Sequence, residues 1–232
     1  MTPQLSFQFT EALTYSSDAF VVHEGVVHIT DTLVTLASEQ RFAVLFVSGG
    51  RGSGKTHLGV HCAGVVQGLG HPVQILRGSE VAVWLQREVP KKAVVLGESV
   101  IIDDAHEWLQ TKECEGVFTA LADKILHAKG LLVLLSAEPI TKLRPTPQVK
   151  SRLTSGVELE LGVAEERHLD GIVRAMAKQR GLRLPPAKRE FILTRVSRTV
   201  AALSRYFDHL QELNRDSRSS TSLEVLGKAA QR

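Results

Sequence analysis

Residues 43–56 read Ala-Val-Leu-Phe-Val-Ser-Gly-Gly-Arg-Gly-Ser-Gly-Lys-Thr: an apolar strand run, a glycine-rich loop and the start of a helical pattern. The loop fits G-x-x-x-x-G-K-[ST], with Gly49, Gly54, Lys55 and Thr56 at the fixed positions. Glycines let the backbone curl so that successive N–H groups point inward around an anion. A helix beginning at Lys55 adds its positive dipole end. Lys55 is then placed to reach the β- and γ-phosphates of a nucleotide, and the Thr56 hydroxyl to ligate Mg²⁺. The alternative is a chance glycine turn, but such a turn seldom has a buried strand before it and a helix after it.

A second stretch answers the first. Ser99-Val100-Ile101-Ile102-Asp103-Asp104 is an apolar strand that ends in two acids. Opposite a phosphate loop, Asp103 would hold Mg²⁺ through water and Asp104 would orient or deprotonate an attacking water. The plainer reading is an acidic strand cap.

Around these two stretches the pattern alternates. Helices are expected over residues 26–39, 55–69, 80–87 and 112–129, the last with Val117, Leu121, Ile125 and Leu126 along one side. Strands are expected over 43–48, 73–76, 99–104, 131–136 and 156–161. From Glu165 onward only helical patterns follow, marked by Leu169, Ile172, Val173 and Met176, then Phe191, Ile192 and Val196, then Val200, Leu203, Phe207 and Leu210. Strands alternating with helices, followed by a helical run, imply an α/β fold: a parallel sheet sandwiched by helices with a small all-helical lid. The expected division is 1–14 as an N-terminal segment, 15–162 as the nucleotide-binding base and 163–232 as the lid.

Charge is uneven along the 232 residues. Residues 163–232 hold 14 Lys and Arg against 8 Asp and Glu, a surplus of +6 in a chain of net charge +3. That surplus suits a solvated helical face, and equally a surface for nucleic acid or an acidic partner. No apolar run approaches the roughly 18 residues of a membrane span, and no basic segment followed by an apolar core marks a secretory signal. Cys62 and Cys114 form neither a disulfide framework nor a zinc pattern, so reduced, packed thiols and a cytoplasmic location are expected. His57 and His61 lie four apart on one helix, but no third ligand stands near them in a recognisable pattern. At the N-terminus, Gln4-Leu5-Ser6-Phe7-Gln8-Phe9 alternates, so Leu5, Phe7 and Phe9 share one side when extended. It either packs on its own domain or docks in a partner's groove.

Phe20-Val21-Val22, Gly54-Lys55-Thr56-His57-Leu58, Ile102-Asp103-Asp104, Ser151-Arg152-Leu153 and Arg180-Gly181-Leu182-Arg183-Leu184-Pro185 together resemble the AAA+ module of the bacterial initiator DnaA, from about Tyr15 to the C-terminus. The resemblance is closer to the Hda family, short DnaA homologues, because DnaA's helix-turn-helix domain has no room before Arg232. It implies ATP or ADP with Mg²⁺ held by Gly49, Gly50, Arg51, Gly52, Ser53, Gly54, Lys55, Thr56 and His57, with Thr56 and Asp103 at the metal. It aligns Arg152 with the family's arginine finger, which neutralises charge growing on a γ-phosphate bound by a neighbouring subunit. Gln4, Leu5, Phe7 and Phe9 match the hexamer by which Hda binds the replicative sliding clamp. The implied partners are therefore the clamp and DnaA, with DNA reached through the clamp and no membrane contact.

Two departures stand out. Ala201 occupies the place of the lid's sensor-2 arginine, with Arg198 and Arg205 a turn away on either side, and Ala137 replaces an acidic residue at the sensor-1 position beside Ser136. Both losses imply weak hydrolysis by the chain itself and a role mainly as an activator of DnaA's ATPase. A competing reading is a helicase-loader-like ATPase that binds single-stranded DNA through the basic lid. A small-molecule kinase lacks a recognisable acceptor site and leaves Arg152 without a role.

Overall fold

The computed structural model describes residues 20–88, 95–216, 226–227 and 229–230. The N-terminal hexamer lies outside them. Elements run α1 (Glu24–Ser38), β1 (Ala43–Ser48), α2 (Lys55–Gly68), β2 (Val73–Arg77), α3 (Val81–Glu88), β3 (Ser99–Asp103), α4 (Ala105–Trp108), α5 (Cys114–Ala128), β4 (Leu131–Ser136), α6 (Pro147–Thr154), β5 (Val157–Glu160), α7 (Glu166–Gln179), α8 (Pro186–Arg195) and α9 (Val200–Asp216).

The five strands form one parallel sheet in the order β2-β3-β4-β1-β5. Its inner strands are apolar on both sides because both faces are covered, as a parallel sheet requires. The period of two then divides each strand between two cores. Val44, Phe46, Val100, Ile102, Leu132 and Leu134 meet α3–α6 on one face. Leu45, Val47, Ile101, Val133 and Leu135 meet α1 and α2 on the other. α7, α8 and α9 build a third cluster of their own around Val173, Leu203, Phe207 and Leu210. Within it the Arg180 guanidinium donates to Asp208 at 2.6 Å and lies over the Phe207 ring.

Several expectations shift. The apolar side of α5 is Phe118, Leu121, Ala122 and Ile125, whereas Leu126 is half exposed; the buried stripe follows i, i+3, i+4, i+7, which Leu126 breaks. Val196 lies past the end of α8 in extended backbone. Residues 147–154, outside the expected helices and strands, form α6 with Pro147 in its first turn. Among the described residues no helix is long and apolar enough to cross a membrane.

The junction of sheet and lid is unusually close. Gly25 in the first turn of α1 accepts a hydrogen bond from the Gly162 N–H at 2.9 Å. A Cβ built on Gly25 would lie 2.6 Å from the Gly162 carbonyl carbon, so only glycine fits.

Candidate nucleotide site

β1 is paired with β4 so that Ser48 lies level with Ser136, and both strands end at the same edge of the sheet. β3 ends at that edge too, with Ile102 level with Leu134. The glycine loop leaves β1 there, which is why residues 47 positions apart in sequence meet. Gly49 donates its N–H to the Ser136 carbonyl at 3.0 Å, pinning the start of the loop to β4. Gly52 (φ +72°) and Gly54 (φ +99°) adopt left-handed backbone that residues with a Cβ avoid. Gly54 then begins α2, accepting the Leu58 N–H at 2.9 Å. As at any helix start, the first-turn N–H groups have no intrahelical acceptor.

Lys55 is buried, and its Nζ donates to the loop carbonyls of Gly49 at 2.7 Å and Gly50 at 2.9 Å. Burial pushes its pKa below the ordinary lysine value, while Asp103 and Asp104 pull the other way. The Thr56 hydroxyl donates to Asp103 Oδ2 at 2.6 Å. Asp103 Oδ1 accepts the Asp104 N–H at 3.0 Å. Burial raises the Asp103 pKa above the usual carboxylate range, opposed by the Thr56 hydrogen bond. Asp104 is exposed, in left-handed backbone (φ +51°), and opens α4.

Arg51, Gly52, Gly54, Lys55, Thr56, His57 and Asp104 line one open cleft of about 1260 Å³. Gly50 and Arg51 are exposed at the loop's crest, and the buried Ser53 hydroxyl has no hydrogen-bond partner among the described residues. These features suit a polyphosphate with a small hard cation: a concave run of N–H groups, a buried ammonium, and a hydroxyl-carboxylate oxygen pair. His106, Glu107 and Glu138 line the same cleft. Those three were not singled out from sequence. His106 accepts the Ala137 N–H at 3.4 Å, a contact that links residues on different strand ends.

His57 and His61 turn to different partners. His57 Nε2 bonds Gln179 Oε1 at 3.1 Å, and the His61 ring stacks on Phe20 at 4.7 Å. Among the described residues no group of three or more His, Cys, Asp or Glu could hold a metal ion. Both cysteines are buried and free.

Ala201 does lie over the loop: a Cβ on Gly52 would come 2.9 Å from its Cα and Cβ. Arg198 is turned away and donates to Glu166 at 2.7 Å. Arg205 lines a separate cleft on the lid with Arg195 and His209. Arg152 sits in the last turn of α6, half-buried, and its guanidinium makes no hydrogen bond or ion pair among the described residues. α6 runs back toward the edge where the strands begin, because β5 starts at Val157, level with Leu45. The loop leaves from the opposite edge, about 10–15 Å along the strands.

No protein-family model matches the chain. A protein of Haemophilus influenzae described as uncharacterized is 24% identical over 207 residues, covering 86% of this chain and 87% of its own. Domain III of the Thermotoga maritima replication initiation protein DnaA superposes with a TM-score of 0.70 at 20% identity, over 93% of this chain and 95% of the domain. The chain has a DnaA-like AAA+ fold. AMPPCP-bound DnaA from Aquifex aeolicus aligns at a TM-score of 0.62 and 16% identity, over 87% of this chain and 65% of DnaA. The Thermotoga maritima RuvB Holliday junction branch migration motor gives 0.64 and 19%, over 94% of this chain and 72% of RuvB. Met176, Val200 and Ser204 line the same cleft as Lys55 and Thr56, so the loop faces the lid.

Proposed function

We propose that this chain binds ATP or ADP with Mg²⁺ and acts as an Hda-like regulator that stimulates hydrolysis of ATP bound to DnaA. The loop N–H groups and Lys55 hold the phosphates, and Thr56 with Asp103 holds the cation. The cation, when bound, shields phosphate charge. Asp104, exposed beside the Thr56–Asp103 pair, is placed to accept a proton from water. AMPPCP in a DnaA of the same fold supports the nucleotide.

The observation that carries the regulatory reading is the placement of the arginines. At the lid contact with the loop stands Ala201, and Arg198 is committed to Glu166. Arg152, unpaired among the described residues, stands at the far edge, where it serves a nucleotide on a neighbouring molecule rather than its own. A planar guanidinium suits phosphate oxygens there better than a lysine point charge. Gln4, Leu5, Phe7 and Phe9 would tether the chain to the sliding clamp as an extended peptide. The reading predicts that clamp retains the full chain and loses it when residues 1–10 are removed.

The basic lid favours the single-stranded DNA alternative less than its composition suggests. Arg167, Arg180, Arg189 and Arg198 are each paired with a carboxylate. The deciding experiment follows labelled ATP on DnaA to ADP in the presence of DNA-loaded clamp. The unmodified chain should accelerate conversion, and Arg152→Ala should not, with nucleotide and clamp binding intact; Arg152→Lys should rescue poorly. For scale, a GTPase finger is worth roughly 10³–10⁵ in rate. Equal stimulation by the alanine variant refutes the assignment.

A further inference from the structure

β4 lies between β3 and β1 in the sheet, so the residue just past its end stands between the phosphate loop and Asp103. That residue is Ala137, which offers only a methyl group there. A side chain from another element covers the gap. His106 of α4 brings its Nδ1 to the Ala137 N–H at 3.4 Å. The ring is half-buried and lines the cleft together with Lys55, Thr56 and Asp104.

A backbone N–H is a donor and nothing else, so Nδ1 accepts and the proton of the ring sits on Nε2. The ring makes no other hydrogen bond or ion pair among the described residues. Its neighbours in the cleft are committed. Lys55 is held by the Gly49 and Gly50 carbonyls, the Thr56 hydroxyl by Asp103, and His57 by Gln179. Arg51 is exposed at the crest of the loop. Glu107 and Glu138 line the same cleft and oppose an anion, so a phosphate near them needs a donor aimed at it.

We propose that His106 distinguishes a nucleoside triphosphate from a diphosphate: its Nε2–H donates to an oxygen of the terminal phosphate, a contact that Ala137 cannot make. This rests on the nucleotide-binding reading above and adds to it the residue that responds to the third phosphate. The glycine loop does not point to His106, which lies on α4, 31 positions from Ala137.

The test uses the full chain with Mg²⁺ and two probes, ADP and AMPPCP, which keeps the terminal phosphate oxygens and resists hydrolysis. In calorimetry, His106→Ala should bind AMPPCP about tenfold more weakly, the scale of one hydrogen bond to a charged group, and ADP within about twofold of the unmodified chain. A second measurement needs no substitution in the protein tested. In the unmodified chain with isotope-labelled histidine, AMPPCP should move the His106 Nε2 resonance and ADP should move it much less. The resonance is assigned by its loss in His106→Gln. The proposal is overturned if His106→Ala weakens binding of both probes equally or of neither, or if the two probes move the Nε2 resonance alike. If the unmodified chain binds neither probe, it is the nucleotide reading itself that falls.

Discussion

Replacing Gly52 by alanine tests the contact between lid and loop. Gly52 has φ +72°, and an added Cβ would lie 2.9 Å from both the Cα and the Cβ of Ala201. The left-handed backbone costs a residue with a Cβ about 1–2 kcal/mol. Forcing a methyl group into packed neighbours costs about 1–3 kcal/mol more. The sum is about 2–5 kcal/mol, and a chain of this size loses roughly 2–4 °C of Tm per kcal/mol. A drop on the order of 10 °C is therefore expected in thermal unfolding followed by circular dichroism. Gly50→Ala is the internal control, because Gly50 has no positive φ and nothing within 4 Å of its added Cβ. It should change stability by no more than about 0.5 kcal/mol. Adding Ala201→Gly to Gly52→Ala should recover only part of the loss, since the Ala201 Cα remains in the way. Identical melting of the Gly52 and Gly50 variants would refute the close seating of α9 on the loop.

Lys55→Ala should weaken ATP binding by at least about tenfold in calorimetry; equal affinity would remove the phosphate reading. Asp103→Asn should stabilise the ligand-free chain, and by more as pH rises. Its folded pKa is raised, so the native state keeps this proton longer than the unfolded state, and stability falls as pH climbs from the unfolded value of about 3.9 through the raised folded one. Urea unfolding of both proteins at acid and neutral pH checks this, and a gap that does not widen toward neutrality would contradict it. Burial pushes the thiols of Cys62 and Cys114 up to about 12. Neither should react with a thiol reagent at pH 8 until the chain is unfolded, and rapid native labelling would show that the two cores open.

β1, its loop and α2 could be read from the sequence because each is signalled locally, by an apolar run, by glycines and by Lys-Thr at a helix start. Asp103 opposite Thr56 was legible for the same reason, one strand ending in acids. The strand order was not, because it depends on which buried face each helix covers rather than on any one strand. α6 had a signal in Thr146-Pro147, but only Val149 and Leu153 of its eight residues are buried, too few for a period to stand out. His106 and Gln179 carry no local signal at all. Their contacts join Ala137 to α4 and His57 to α7, and such pairs exist only once the chain is folded. Gln4, Leu5, Phe7 and Phe9 lie outside the described residues, so their role rests on their pattern.

The two carbonyls held by Lys55 bear on which ligands the site can choose. A phosphate arriving there does not meet an idle ammonium; it takes over from Gly49 and Gly50 as acceptor. The gain is the difference between charged and neutral acceptors, about a factor of two in hydrogen-bond strength. Selection at this lysine is therefore graded by ligand charge. An uncharged nucleoside offers it only another neutral oxygen, and so has nothing with which to outbid the loop.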